Sequence, residues 1–473
     1  MAVTSSGDGN FSSVIAGGLS VNDDVIINHD VTMDGHAPNV NSLVINSGKT
    51  LTGGGYKITI DSENSSGFAV DNDGIISGNL DLEINTPATT QIDLNGSSGN
   101  FRDVKLNDAS VDARLAENTT IGRNLTIAAG ELNTSGSNYS LTVTEKTSIS
   151  SGTLTLNNSV VLLGTTSTSD YGLTMSGGAC NMGGSDCKTG AVNISGGALT
   201  PSSATWEVMS AYSSNAWISV PSSFTNQGTL KFTSPLGGNI RTPQGMNDVI
   251  FDASSGTPTW TIITQGFQCV NLTITDGTLD TGSDYGLVVT GDVDITGTLT
   301  GNASAISMGS LSVASGGTYN ATSGTTTITS ENGSNQAFWN EGTFTHNNGK
   351  VVIDTEGNNH TTVKGTTFYD LEVNMTNNTR EAKFRPKTGT HSEILNNFTL
   401  TQGIYEMHAD GDTLDIHGLT TIEANGQFLK DAEHTGLVTH HGLVTNRGNY
   451  MLKDGVTVKM NGGFRQLGTF TTP

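Results

Sequence analysis

Apolar and polar residues alternate in twos along most of this chain, and the alternation breaks at short turns rich in Gly, Asn, Asp, Ser and Thr. The stretch Asn271–Leu299, NLTITDGTLDTGSDYGLVVTGDVDITGTL, shows the pattern most clearly. Leu272, Ile274, Leu287, Val289, Val293 and Ile295 fall on one face; Thr273, Thr275, Val288, Asp292 and Asp294 fall on the other. A period of two, interrupted by Thr-Asp-Gly, Thr-Gly-Ser-Asp and Thr-Gly, predicts short strands joined by tight turns. The pattern returns upstream as Asn124–Leu156 and downstream as Asn397–Phe428. Such recurrence predicts a repeat protein that grows by stacking, without a single globular core.

A longer unit contains these strands. Phe101-Arg102-Asp103-Val104-Lys105-Leu106 matches Met246-Asn247-Asp248-Val249-Ile250-Phe251, and both match Phe368-Tyr369-Asp370-Leu371-Glu372-Val373. A second marker, Asn226-Gln227-Gly228-Thr229-Leu230, returns as Asn340-Glu341-Gly342-Thr343-Phe344 and loosely as Asn446-Arg447-Gly448-Asn449-Tyr450. The expected organisation is an N-terminal module with the first coils over 1–98, then repeat units over 99–244, 245–366 and 367–473. The closing residues Leu467–Pro473 echo Gly228–Pro235, so the last unit is expected to stop inside a repeat. Turn lengths vary irregularly while apolar strands recur at coil-like spacing, which favours a parallel solenoid over a hairpin sandwich. The prediction is all-β: a right-handed parallel β-helix with irregular loops and some antiparallel insertions. At ~20–25 residues per coil and ~4.8 Å between stacked strands it would make a rod roughly 100 Å long.

The N-terminal order Gly9-Asn10-Phe11-Ser12-Ser13, Gly17-Gly18, Asp23-Asp24-Val25-Ile26-Ile27 and Ser42–Leu51 resembles a module of β-solenoid proteins on bacterial surfaces and phage particles. In that module a G-N-W-S-S start precedes D-x-V-x-I and a strand ending S-G-x-x-L; here Phe11 stands in place of Trp. Ala321–Asn374, with TSGTTTITS, AFWNEGTFTHNNGKVVID and GTTFYDLEVN, is similar to a repeat of large β-solenoid proteins of aquatic bacteria and their phages. The resemblance implies a tail-fibre-like, tailspike-like or capsid-attached protein.

Composition narrows the partners. The net charge of −23 and the lack of a basic stripe disfavour nucleic acid. No apolar run approaches ~18 residues, so no membrane span is expected. The start MAVTSSGDGN has neither the basic region nor the apolar core of a signal peptide. Three cysteines, Cys180, Cys187 and Cys269, are too few and too odd in number for a disulfide framework. Buried free thiols in stacked turns are expected, although Cys180 and Cys187 could close a small loop.

Candidate chemistry meets a structural reading at each position. Asp103, Asp248 and Asp370 recur at equivalent places, which suits turn capping better than catalysis. Asp410, Asp412 and Asp415 are the candidate carboxylates for glycoside cleavage, which needs a pair. They occupy the place of Asp284 and Asp292 in the earlier copy, so a turn explains them equally. Asp71-Asn72-Asp73-Gly74 and Asp8-Gly9-Asn10 faintly suggest cation loops but lack a full ligand set. Eight of the ten histidines follow residue 345. The spacing of His434, His440 and His441 fits no zinc signature. His440 and His441 are expected in a turn or pointing outward, with stacked histidines at a subunit interface as the alternative. Trp217 and Trp339 share a place before the Asn-x-Gly marker and are expected to pack between repeats. Trp260 has no assigned role, and Trp206 falls in Pro201–Pro221, the expected lateral loop. Asn-x-Ser/Thr triplets at Asn124, Asn271 and Asn397 follow from composition and carry no expectation of glycosylation.

No catalytic, cofactor or metal residues are assigned, and the chain is not expected to be an enzyme. The expected role is a structural or adhesive virion protein, first a phage tail fibre or tailspike-like appendage touching the host surface. Alternatives are a capsid-attached fibre or decoration protein, a secreted bacterial adhesin and a polysaccharide depolymerase tailspike. Expected partners are two further copies in a homotrimer, other virion proteins through the N-terminal module, and host surface polysaccharide. Assembly is expected in host cytoplasm, with a cell-surface location as the alternative.

Overall fold

A computed structural model describes the chain except residues 16–18, 37–38, 87–88, 165–169, 220–226, 242–244, 254, 265, 357–359, 366, 377–378, 380, 386–390, 430–433 and 473. Gly17-Gly18 and Asn226, named above, lie outside the described residues. The fold is a parallel β-solenoid of about 19 turns. Two units divide it, Met1–Asn247 and Asp248–Pro473.

In the first unit a coil consists of three short strands, for example Asn124–Ile127, Glu131–Asn133 and Leu141–Val143. The next coil repeats it as Lys146–Ile149, Thr153–Thr155 and Val160–Leu163. Each strand pairs in parallel with its counterpart one coil on. Because strand side chains alternate between faces, in-register stacking lines like residues into columns. Ile60, Ile84, Leu106, Ile127, Ile149, Met175 and Ile194 form one such column, fully inside. Burying each of these side chains contributes about 1.5–3 kcal/mol. The one-turn helix Phe11–Val14 buries Phe11, the residue that replaces Trp in the resembled module, together with Val14.

In the second unit Leu272, Ile274, Leu287, Val289, Val293 and Ile295 are all buried, as the alternation predicts. Of the two Thr-Gly pairs that follow Leu287, Thr296-Gly297 separates two strands and Thr290-Gly291 does not. The latter pair lies within one strand, Leu287–Ile295, which bends there through a register shift. An aromatic column runs through the later coils: Tyr405 stacks on Phe428 at 4.7 Å, Phe428 on Tyr450 at 4.8 Å, and Tyr450 on Phe470 at 5.8 Å. A five-stranded sheet forms another wall of the later coils and includes His391–Ile394, Asp412–Ile416, Gly436–His440 and Val456–Met460.

Strand pairings among the described residues are parallel, and an isolated antiparallel bridge joins Tyr212 to Asn215. That bridge falls in Pro201–Pro221, but the segment is not a lateral loop as far as Ser219. Thr205–Val208 and Asn215–Ser219 are coil strands in the stack; their inward apolar residues outweigh the irregular turn between them. Trp206 is buried there, donating Nε1–H to Thr189 Oγ1 at 3.0 Å and packing on Trp217 at 4.7 Å. Trp217 and Trp339 are not equivalent. Trp217 stacks in register between Val192 and Ile240 and is fully buried, whereas Trp339, in a strand of another sheet between Ser312 and Lys364, leaves the inward place to Phe338 and lies beneath Lys364 Nζ at 4.6 Å. A slip of one residue exchanges the faces of a strand. Trp260 is in the core against Phe251. The three cysteines are free and buried, in strands instead of turns, and burial pushes the Cys180 thiol up to about 12.

The marker glycines occupy tight corners. A Cβ on Gly228 would lie 2.1 Å from Ala204 O, on Gly342 2.3 Å from Gly317 O, and on Gly448 2.2 Å from Glu423 O. Gly342→Ala should therefore cost about 1–3 kcal/mol, as overpacking against rigid backbone does. Gly333, where an added Cβ would meet nothing within 4 Å, is the control: Gly333→Ala should stay within about 0.5 kcal/mol of wild type. Denaturant unfolding of the two variants checks both figures.

Candidate functional site

Two kinds of corner absorb most of the polar residues singled out above. At the first, the recurring aspartates bind the following coil. Asp103 Oδ1 accepts from Asn124 Nδ2 at 2.9 Å, and its carboxylate is paired with Arg123. Burial opposes that charge, but Arg123 and Asn124 outweigh it and hold the Asp103 pKa below its ordinary value. Asp248 accepts from Asn271 Nδ2 at 2.8 Å, and Asn271 Oδ1 accepts the Asp292 N–H at 3.0 Å. Asp370 Oδ1 accepts from Asn396 Nδ2 at 3.0 Å and the Asn397 N–H at 2.8 Å. Asp103 and Asp370 thus accept backbone N–H groups as expected, whereas Asp248, inside a strand, ties its coil to the next through the Asn271 side chain; Asn124, Asn271 and Asn397 are engaged in the same ties.

The second corner is an Asn/Asp-Thr turn. Asn157 Nδ2 donates to Asn133 Oδ1 at 2.9 Å, and Asn302 Nδ2 donates to Asp280 Oδ1 at 2.7 Å. Asp284 Oδ1 accepts the Ala303 N–H at 3.1 Å, and Asp410 Oδ1 accepts the Thr435 N–H at 2.7 Å. Asp412 is buried and accepts the Ala409 N–H at 3.0 Å, whereas Asp415 projects from the opposite face of the same strand. The three carboxylates considered for glycoside cleavage therefore do not converge. Asp8 likewise accepts the Asp30 N–H at 2.9 Å.

Asp71 and Asn72 are strand residues, not members of a loop. Asn72 is buried, its Nδ2 donating to Leu94 O at 3.3 Å. Asp71 faces the Asp93–Glu117 pair in the following coils. Burial, then the charge and hydrogen bond of Glu117 and the charge of Asp71, push the Asp93 pKa up to about 7. Among the described residues no group of three or more His, Cys, Asp or Glu is arranged to hold a metal ion, and no helix is long and apolar enough to cross a membrane.

The histidines divide by strand parity. His440, expected in a turn or outward, is fully buried because it stacks in register between Ile416 and Met460. Its Nδ1 meets Thr420 Oγ1 at 2.8 Å and its Nε2 meets Tyr450 OH at 3.0 Å. Burial, and then His441, push its pKa down to about 4. His441 is exposed and stacks on His417, with centroids 4.8 Å apart and planes 5° from parallel. His434 lies 3.6 Å from Asp410. Sequence spacing gave no sign of the His417–His441 pair, because its members are neighbours only once coil length is known.

A shallow groove of about 440 Å³ follows a corner of the later coils. Asn425, Gln427, Arg447, Asn449 and Thr469 line it over a floor of Gly426, Gly448 and Gly468. Amide and guanidinium groups on a flat floor can hydrogen-bond hydroxyl pairs. Arg447 is also paired with Glu423 at 2.6 Å. Comparison with protein-family models, curated proteins and solved structures finds no match to this chain.

Two pH effects of opposite sign follow. His440 has a folded pKa of about 4 against 6.5, so the unfolded chain takes up its proton first. Its contribution is complete above pH 6.5 and is lost as pH falls towards 4, by about 3 kcal/mol. Guanidinium unfolding should show this loss for wild type and a flatter profile for His440→Gln. Asp93, raised to about 7, destabilises the fold as pH rises from about 4 to 7. Asp93→Asn should therefore be more stable than wild type at pH 8 and closer to it at pH 4.

Proposed function

We propose that this chain is a structural and adhesive component of a phage particle, a tail fibre or tailspike-like appendage that contacts the host surface. The observation that carries the reading is where the resembling segments fall. Ala321–Asn374 forms regular stacked coils, with strands Thr325–Ile328, Lys350–Ile353 and Asp370–Asn374 in consecutive register. The repeats therefore build wall, and the carboxylates they bring hold one coil to the next. A scaffold of this kind presents surface along its length, as solenoids do.

The groove at Arg447 is the contact we assign to a host surface polysaccharide. Lateral association into a homotrimer would cover flanks that a lone solenoid leaves wet. Virion incorporation would take place in host cytoplasm, with the N-terminal module facing other particle proteins.

Gold-labelled antibody against the chain should decorate appendages of purified particles, and light scattering of the pure protein should give three times the chain mass. Labelling confined to bacterial cell surfaces would contradict the virion role, and a stable monomer would contradict the trimer. Arg447→Ala should lower binding of fluorescent protein to host cells by about tenfold, the size of one charged hydrogen bond lost.

A further inference from the structure

The stacked pair His417 and His441 is used by neither the core nor the groove. It stands just past the ends of two strands of the five-stranded sheet, where the sequence His-Gly-Leu occurs in two successive coils, at 417–419 and 441–443. The register is tightly set. His417 N–H donates to Ile394 O at 2.9 Å, His441 N–H to Ile416 O at 2.8 Å, and Gly418 N–H to Asn396 O at 2.8 Å. A Cβ on Gly442 would lie 2.1 Å from Gly418 O, so the two corners nest without room to slip. Both imidazoles are consequently held parallel, one coil apart, on an exposed edge.

A second observation fixes the chemistry of one ring. His417 Nε2 lies 2.9 Å from Glu393 Oε1. A carboxylate only accepts, so the neutral imidazole donates from Nε2 and keeps its lone pair on Nδ1. This carboxylate–imidazole arrangement orients histidines that ligate metals and raises their basicity. Other histidines outside the core are differently engaged: His36 Nδ1 accepts the Lys57 N–H, His346 stacks on Tyr369, His391 Nδ1 meets Thr413 Oγ1, and His434 faces Asp410.

We propose that His417 and His441 form a two-histidine clamp for a divalent transition-metal ion of the zinc, nickel or copper class, with Glu393 as the positioning residue of His417. Imidazole suits these ions, whereas calcium and magnesium prefer oxygen donors. Two nitrogens on one zinc, each at about 2.0–2.1 Å, lie roughly 3.3 Å apart. In parallel planes the two nitrogen lone pairs do not converge, so both rings must turn out of the stack about their side-chain bonds to share one ion, which their exposed positions leave room for. Water completes the coordination, since two protein donors leave positions open. A clamp across two coils binds the folded chain alone and so fastens them together.

The test is calorimetric titration of the full chain with zinc chloride in a non-chelating buffer at pH 7.5, with thermal unfolding in parallel. Wild type should bind one ion saturably and melt at a higher temperature with zinc present. His417→Ala and His441→Ala should each weaken binding at least about tenfold, and Glu393→Ala by about 10–100-fold, the range seen when such an orienting partner is removed. His391→Ala, on the same sheet, should bind as wild type does, and circular dichroism confirms that each variant is folded. Absence of saturable uptake at about 1 mM zinc, or wild-type affinity in the folded His417→Ala/His441→Ala double variant, would overturn the clamp. Unchanged affinity in Glu393→Ala would overturn the role given to Glu393.

Discussion

In-register parallel stacking is the constraint from which the rest of this structure follows. Neighbouring strands lie ~4.8 Å apart, so each residue meets its counterpart one coil away at nearly the same distance. Like is placed on like, and every column must tolerate that. Inside, aliphatic and aromatic columns gain from it, as in Ile60 to Ile194 and Tyr405 to Phe470. At the tightest corners only hydrogen fits, hence the columns of glycine. At the polar corners an Asn placed over an Asp turns potential repulsion into donor and acceptor, as where Asn271 Nδ2 donates to Asp248 while its Oδ1 accepts the Asp292 backbone N–H.

Where the alternation fails, the same geometry produces electrostatic tension. Asp71, Asp93 and Glu117 bring carboxylates together in successive coils, and Asp93 holds its proton to about neutral pH. Outside, oppositely charged columns relieve it: Lys57 pairs with Glu83 at 2.6 Å, and Lys188 with Glu207 at 2.9 Å. Histidine stacks on histidine at His417 and His441, setting two imidazole rings side by side.

Much of this was legible in the sequence because a period of two and a recurring Asn-x-Gly marker are local signals. The buried faces of Asn271–Leu299 and the structural role of Asp103 and Asp370 emerge from it, and the free cysteines from their sparse, odd count. What was not legible depends on parity or coil length. Trp217 and Trp339 lie in strands of different sheets, and in the second it is Phe338, one residue earlier, that faces inward; His440 and His441 differ by one position and so by the whole depth of the wall. Trp206 sat between irregular turns that hid a regular strand. His417 and His441 became neighbours only when one complete coil had been counted between them.

Crosslinking across one coil tests the stacking most directly. Thr126 and Ser148 are outward-facing register partners in the first unit, and a strand separation of ~4.8 Å lies within disulfide reach. Cysteines placed there should oxidise to a single intramolecular disulfide in the folded protein, while buried Cys180, Cys187 and Cys269 stay reduced. A hairpin fold would instead set Thr126 opposite Leu132. Crosslinking of a Thr126→Cys/Leu132→Cys pair, with the Thr126→Cys/Ser148→Cys pair remaining free, would contradict the solenoid and every column built on it.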